Sequence, residues 1–247
     1  MSNTTILILG ILLAGFGLLV VVSWIRNRRS KHAPQLILQS WDEVRNEALC
    51  EASDSPRPPI PNRPPNLDCR LDKKLLDTLR NDWRPNDKAV GKAWAIYHIL
   101  YKSIDDELAQ INHDDNWAYE PISDARRAVH VSYVFEQRVA GGGLESYFLN
   151  PSGDGAWSVL AAFELMNDLE AAAFCAEVNS YFPDGPKPYR PNRLLQMSRF
   201  GEREIEFLET STKRYFAMQS NRMNGNVAFQ CAIPFVLKNH TEFFRET

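Results

Sequence analysis

The chain has 247 residues, of which 44% are apolar, 24% charged and 11% aromatic, a composition that supports a core and excludes an intrinsically disordered protein. Its 28 basic and 31 acidic residues give a formal charge of −3, which excludes a strongly basic nucleic-acid binder. One globular domain with appendages is the expectation for this length.

Residues Ile6 to Ile25 form an apolar run without a charged side chain, and about 20 residues of helix cross a hydrocarbon layer of ~30 Å. Arg26, Arg28, Arg29 and Lys31 follow the run, while nothing charged precedes it. This asymmetry predicts a single-pass anchor with the N-terminus outside and the rest in the cytoplasm. The basic cluster lies after the run and no small-x-small cleavage site follows, which argues against a cleaved signal peptide. Cys50, Cys69, Cys175 and Cys231 are scattered, with no CxxC pair, as expected of reduced thiols in a cytoplasmic body.

Ser40-Trp41-Asp42-Glu43 has the form of a capping box, and Val44, Ala48 and Leu49 continue at helical spacing, which predicts a short juxtamembrane helix. Pro56, Pro58, Pro59, Pro61, Pro64 and Pro65 then crowd the stretch 55–66. Proline blocks helix there and favours a semi-rigid extended spacer. The chain thus divides into an anchor with its basic flank (1–32), a juxtamembrane helix and proline-rich linker (33–66), and a folded domain (67–247).

Within that domain the periodicity is helical. Leu71, Leu75, Leu76 and Leu79 form one stripe, and Trp94, Ile96, Tyr97, His98, Ile99, Leu100 and Tyr101 predict a second helix that is apolar nearly all round and therefore buried. Ser123 is placed to cap a third, with Ala125, Ala128, Val129, Ser132, Phe135 and Val139 at the 3.6-residue period. Gly141-Gly142-Gly143 is expected to end it, and Asn150 to Gly155 reads as turn chemistry. A helical stretch from Trp157 to Phe182 is expected to break near Asn167-Asp168. A loop rich in Pro and Gly follows from Pro183 to Pro191, then two last helices around Glu204–Met218 and Val227–Lys238. Pro234 predicts a kink or a late start in the last one. No strand pattern of useful length appears, so the fold class is all-α: a compact multi-helix domain behind a single transmembrane helix and a proline-rich spacer.

Charge is unevenly distributed. Residues 100–185 hold 15 acids and four bases, whereas 186–247 hold six acids and ten bases. Asp105, Asp106, Glu107, Asp114 and Asp115 are the densest acidic portion and the candidate partner-binding residues, since such a field draws cationic partners over ~8 Å at physiological salt. The competing reading is an ordinary solvated face, neutralised in the fold by Arg190, Arg193, Arg199, Arg203, Lys213 and Arg214. No catalytic motif stands beside these acids. The histidines (His32, His98, His113, His130 and His240) form no HExxH and pair with no cysteine at ligand spacing. Neither a GxSxG elbow nor a P-loop is present, and Gly141 to Gly143 follow a helix without a Lys-Ser/Thr after them. No cofactor, metal or catalytic residue is assigned, and an enzyme is not expected.

The stretch Val139-Ala-Gly-Gly-Gly-Leu-Glu-Ser-Tyr-Phe-Leu-Asn150, with Ser152-Gly153 and the following Leu160 and Phe163, resembles the Asn-Gly-Gly-Phe-x-x-Phe/Tyr-Phe-x-Asn signature of the bacterial DNA mimic protein 19 domain family. Phe207-Leu208 to Tyr215-Phe216 resembles that family's penultimate helix, and Phe235 to Phe244 its closing one. The resemblance covers roughly Lys88 to Phe244. Gly141 stands where the family favours Asn, Leu144 replaces its Phe, and Met166-Asn167-Asp168 replaces a common Ile-Gly-Ala. The resemblance implies an all-helical domain, dimeric in the family's best-known member, whose carboxylates stand in for DNA phosphates and occupy the basic surface of a DNA-binding protein. It also places the anchor in a bacterial inner membrane. The expected function is therefore a membrane-anchored, cytoplasm-facing acidic domain that binds a protein partner and not nucleic acid itself, with a homodimer as one arrangement. Two alternatives stay open: a structural or immunity-type interaction module without mimicry, and a hydrolase with an unrecognised carboxylate site.

Overall fold

The chain divides into two units, Met1–Ser40 and Trp41–Thr247; the computed structural model describes residues 68–84, 91–111 and 122–245. The anchor at Ile6 to Ile25, the juxtamembrane helix, the proline spacer, Cys50 and His113 all lie outside the described residues. Among the described residues no helix is long and apolar enough to cross a membrane.

Eight α-helices make up the described part: α1 (Lys73–Asp82), α2 (Gly91–Ile111), α3 (Asp124–Leu149), α4 (Ala156–Leu165), α5 (Leu169–Ser180), α6 (Arg190–Met197), α7 (Glu202–Ser220) and α8 (Val227–Lys238). Short 3-10 turns join some of them, and no strand is present among these residues. One isolated parallel bridge pairs Leu71 with Phe244, where Leu71 N–H donates to the Phe243 carbonyl at 2.8 Å and Arg245 N–H to the Leu71 carbonyl at 2.9 Å. The start and the end of the folded part are thereby stitched together.

Local chemistry accounts for most boundaries. Asp72, Ser123, Asp168 and Asn226 each accept a backbone N–H from the first turn of α1, α3, α5 and α8, satisfying donors that a helix start leaves without partners. Asn167 at φ 61° turns the chain between α4 and α5, so the expected interruption at Asn167-Asp168 is real. In α2 the buried positions Ala93, Ile96, Tyr97, Leu100, Ile104 and Leu108 follow the helical period, but Ile99 on the other side is 40% exposed, so the helix is not buried all round. Helix α3 is the centre of the core, packed against α2, α4, α7 and α8.

Three expectations change. α6 is a helix where the sequence reads as a loop running into an unassigned stretch; its proline, Pro191, sits in the first turn, where the missing N–H costs no hydrogen bond. α8 starts at Val227, so Pro234 does not delay it, and the proline lies on the exposed side. The third helix does break at the glycines, as expected, but the stretch after them is helical too. Gly142 and Gly143 leave helical geometry, with Gly143 at φ 75°, and the chain resumes helix over Leu144 to Leu149.

Candidate functional site

The five acids singled out in the sequence do not form one ridge. Successive residues of a helix point ~100° apart, and α2 sends its three neighbouring carboxylates in three directions. Asp106 is on the surface, 2.5 Å from Lys102 Nζ one turn earlier. Asp105 is half-buried, its Oδ1 3.5 Å from Nε2 of the fully buried His130. Burial holds that imidazole below its ordinary range, while the bond to His130 holds the Asp105 carboxyl below its own. Glu107 corrects the expectation most sharply: it is fully buried and its Oε2 lies 2.6 Å from Arg126 Nη2. It clasps α2 to α3 in the core and presents nothing to a partner. Asp114 and Asp115 lie outside the described residues.

Other acids are also taken up by the fold. Asp154 meets the buried Arg193 at 2.7 Å, Asp168 and Glu170 meet Arg222 at 3.1 and 2.7 Å, and Glu177 receives a two-pronged bond from Arg214 at 2.6 and 2.9 Å. Of the cations expected to neutralise the acidic segment, Arg193 and Arg214 do so. Arg190 Nε donates to the Leu149 carbonyl at 2.9 Å. Glu136, buried on α3, accepts from Tyr215 and Gln219 of α7, both at 2.5 Å, and from the first amides of α8 at 3.4 and 3.3 Å. Burial pushes its carboxyl above the usual carboxylate range against the pull of those donors. It is a structural tie between three helices.

A different place gathers exposed chemistry. Where α3 breaks, Ala140, Gly141, Gly142, Gly143 and Glu145 form one wall of an open cleft of about 470 Å³, and Leu208, Glu209, Thr212, Lys213 and Phe216 of α7 form the other. Thr212 Oγ donates to the Leu208 carbonyl at 2.8 Å and accepts the Leu144 N–H at 3.0 Å. It thus caps the resumed helix from a neighbouring element, supplying what an N-cap side chain ordinarily supplies from within the chain. The fit is close: a Cβ on Gly143 would stand 3.1 Å from Thr212 Cγ2. Glu145 is half-buried, and burial together with the nearby Glu209 raises its carboxyl above the ordinary value of 4.5. Neither glutamate makes an ion pair among the described residues, and Phe216 beside them is 41% exposed. The sequence reading missed Glu145, Glu209 and Phe216. The signal was the spacing of Glu209, Thr212, Lys213 and Phe216, which are i, i+3, i+4 and i+7 on one face of α7.

The glycine break, both walls of the cleft and helices α3 to α7 lie inside one matched stretch. The family model described as DMP19-like protein matches residues 120–231. This stretch is similar to that family. The match spans a little under half of the chain and is shorter than the resemblance at Lys88 to Phe244, leaving out α1, α2, the second half of α8 and the closing turn. No curated protein and no solved structure matches. Among the described residues no group of His, Cys, Asp and Glu is arranged to hold a metal ion. Cys69, Cys175 and Cys231 are free thiols, and burial raises the last two well above the usual thiol range, which leaves them poor nucleophiles.

Proposed function

We propose that the chain is a single-pass inner-membrane protein whose cytoplasmic DMP19-like domain acts by binding a basic protein partner, of the kind that otherwise binds DNA, and not by catalysis. The observation that carries this reading is the outward charge of one stretch of the domain. Over residues 122–185, Asp124, Glu164, Glu170, Glu177 and Asp184 are exposed against a single exposed base, Arg138. Spaced carboxylates on helices offer Lys and Arg the pattern that phosphates offer. The family's name points the same way, and the apolar run Ile6 to Ile25 with its basic flank supports the tether.

A second reading is favoured by the pairs Glu177–Arg214 and Glu170–Arg222, which neutralise part of this face from within. In that case the domain is an interaction module whose contacts are not electrostatic. The full-length chain, solubilised in detergent and immobilised, is exposed to nuclease-treated host lysate and eluted with a salt gradient. Mimicry gives a basic DNA-binding protein that elutes at moderate salt, is displaced by added duplex DNA, and is lost when Asp106, Glu164 and Asp184 are reversed to lysine. A partner that resists salt and charge reversal establishes the second reading and overturns the first.

A further inference from the structure

We propose that the cleft over the glycine break is a seat for a guanidinium or ammonium group carried on an alkyl stem. This rests on the reading of the domain as a binder of basic partners and names the place where one cationic side chain enters. The cleft has room for such a group, about 470 Å³ open on one side, and its walls are chemically mixed in the way such a group requires. Glu145 from α3 and Glu209 from α7 line it from opposite walls, and the exposed ring of Phe216 stands one face-turn from Thr212. A carboxylate accepts a forked guanidinium in two parallel bonds. An aromatic face attracts a cation, and an apolar wall takes the methylene stem.

The competing occupant, an anion, is disfavoured by two facts. Two carboxylates face one ammonium, Lys213, and the backbone amide that the glycine break releases at Leu144 is already taken by Thr212. The floor is therefore not a phosphate cradle. Glu209 and Lys213 stand at i and i+4, the order that favours pairing on a helix, yet no ion pair joins them. Burial and, after it, the charge of Glu209 raise the Glu145 carboxyl, and an entering cation relieves the second of these. The shared chemistry has two sources, the Arg or Lys side chain of a protein and a free alkyl guanidine or amine.

The test uses the full-length chain in detergent micelles, titrated calorimetrically at low salt with three probes: a short peptide holding one arginine, the same peptide with citrulline in its place, and agmatine. The arginine peptide is expected to bind and the citrulline peptide to fail, since citrulline keeps the shape and loses the charge. Glu145→Gln and Glu209→Gln are each expected to weaken binding about tenfold, the usual worth of a hydrogen bond to a charged group, while Asp77→Asn, at an exposed position of α1, leaves it unchanged. Agmatine binding as well as the peptide assigns the site to free amines and guanidines; peptide binding alone assigns it to a partner's side chain. Equal binding of the citrulline peptide, or an unchanged affinity in both cleft variants, overturns the proposal. Lysate capture that survives Glu145→Gln with Glu209→Gln and is lost on reversing Asp106, Glu164 and Asp184 overturns the cleft assignment alone, leaving the acidic-surface reading in place.

Discussion

The short helical segment Leu144 to Leu149 is held in two contrasting ways at its two ends. At the carboxyl end Arg193, fully buried, donates to the carbonyls of Phe148, Asn150 and Lys187 at 2.7, 2.9 and 2.9 Å and to Asp154 at 2.7 Å. All three nitrogens of the fork donate, among others to carbonyls that a helix end leaves without intrahelical partners. At the amino end one side-chain hydroxyl, Thr212, caps one amide, and the two carboxylates nearby line an open cleft with a single cation, Lys213, to which neither is ion-paired. The difference teaches how to read charge in this chain. Where opposite charges are matched and buried they fix the backbone, and where like charges are left facing solvent they are available to something else.

The sharpest way to break the comparison is at the matched end. Arg193→Ala removes one side of a buried pair and strands several carbonyls, so it is expected to destabilise the domain by ~3–5 kcal/mol, read as a lowered urea midpoint with unchanged slope. A loss below ~1 kcal/mol, the range of surface pairs, would mean that Arg193 is no more than a surface cation. Gly153 shows why the arginine cannot simply shift: a Cβ there would stand 2.8 Å from Arg193 Nε.

Much of this fold was legible because its signals are local. Ser123 and Asp168 announce helix starts by their own side chains, and the stripes at Leu76 and Leu79 or Phe135 and Val139 carry their period in sequence. α6 was not legible, since Pro183 to Pro191 reads as loop by composition and only packing of Leu194 and Met197 makes it a helix. The site was less legible still. Asp105, Asp106 and Glu107 look like one acidic run, but helical rotation puts Glu107 in the core against Arg126, a partner on another helix that no spacing rule names. Glu145 and Glu209 meet only because α3 and α7 pack together.

A smaller effect is expected at the amino end. Gly143→Ala places a Cβ at φ 75°, ψ −178°, a region kept essentially to glycine, and presses it on Thr212, which costs on the order of 1–3 kcal/mol. The same variant is expected to loosen the cap on Leu144 N–H, seen as faster amide exchange over Leu144 to Leu149 with α8 unaffected. Equal protection in both places would show that the break is not held by Thr212.

Glu145 offers a pH test of the unmatched charges. Its folded carboxyl titrates above 4.5, so its contribution to stability is complete below pH 4.5 and is lost as pH rises through the raised value. Glu145→Gln removes that dependence, and relative to wild type the variant is expected to gain stability between pH 4 and pH 7. The side chain is half exposed, so the gain is a few tenths of a kcal/mol, at most ~1. Urea midpoints across this range check it, and parallel curves for the two proteins would show that Glu209 does not repel Glu145.

The least effect is expected one glycine away, at Gly141, where the comparison can be made within a single motif. Gly141 keeps helical geometry and a Cβ there meets nothing within 4 Å. Gly141→Ala therefore limits the unfolded chain without straining the folded one and is expected to stabilise by ~0.4–1 kcal/mol. Gly143→Ala, two residues on, carries the opposite sign. The three glycines are then not one flexible hinge but a helix end, a residue out of helical geometry at φ −161°, ψ 15°, and a positive-φ residue in succession. If both variants destabilise alike in thermal melts, the break depends on backbone freedom throughout, and the division between a closed end and an open end of the segment fails at its open end.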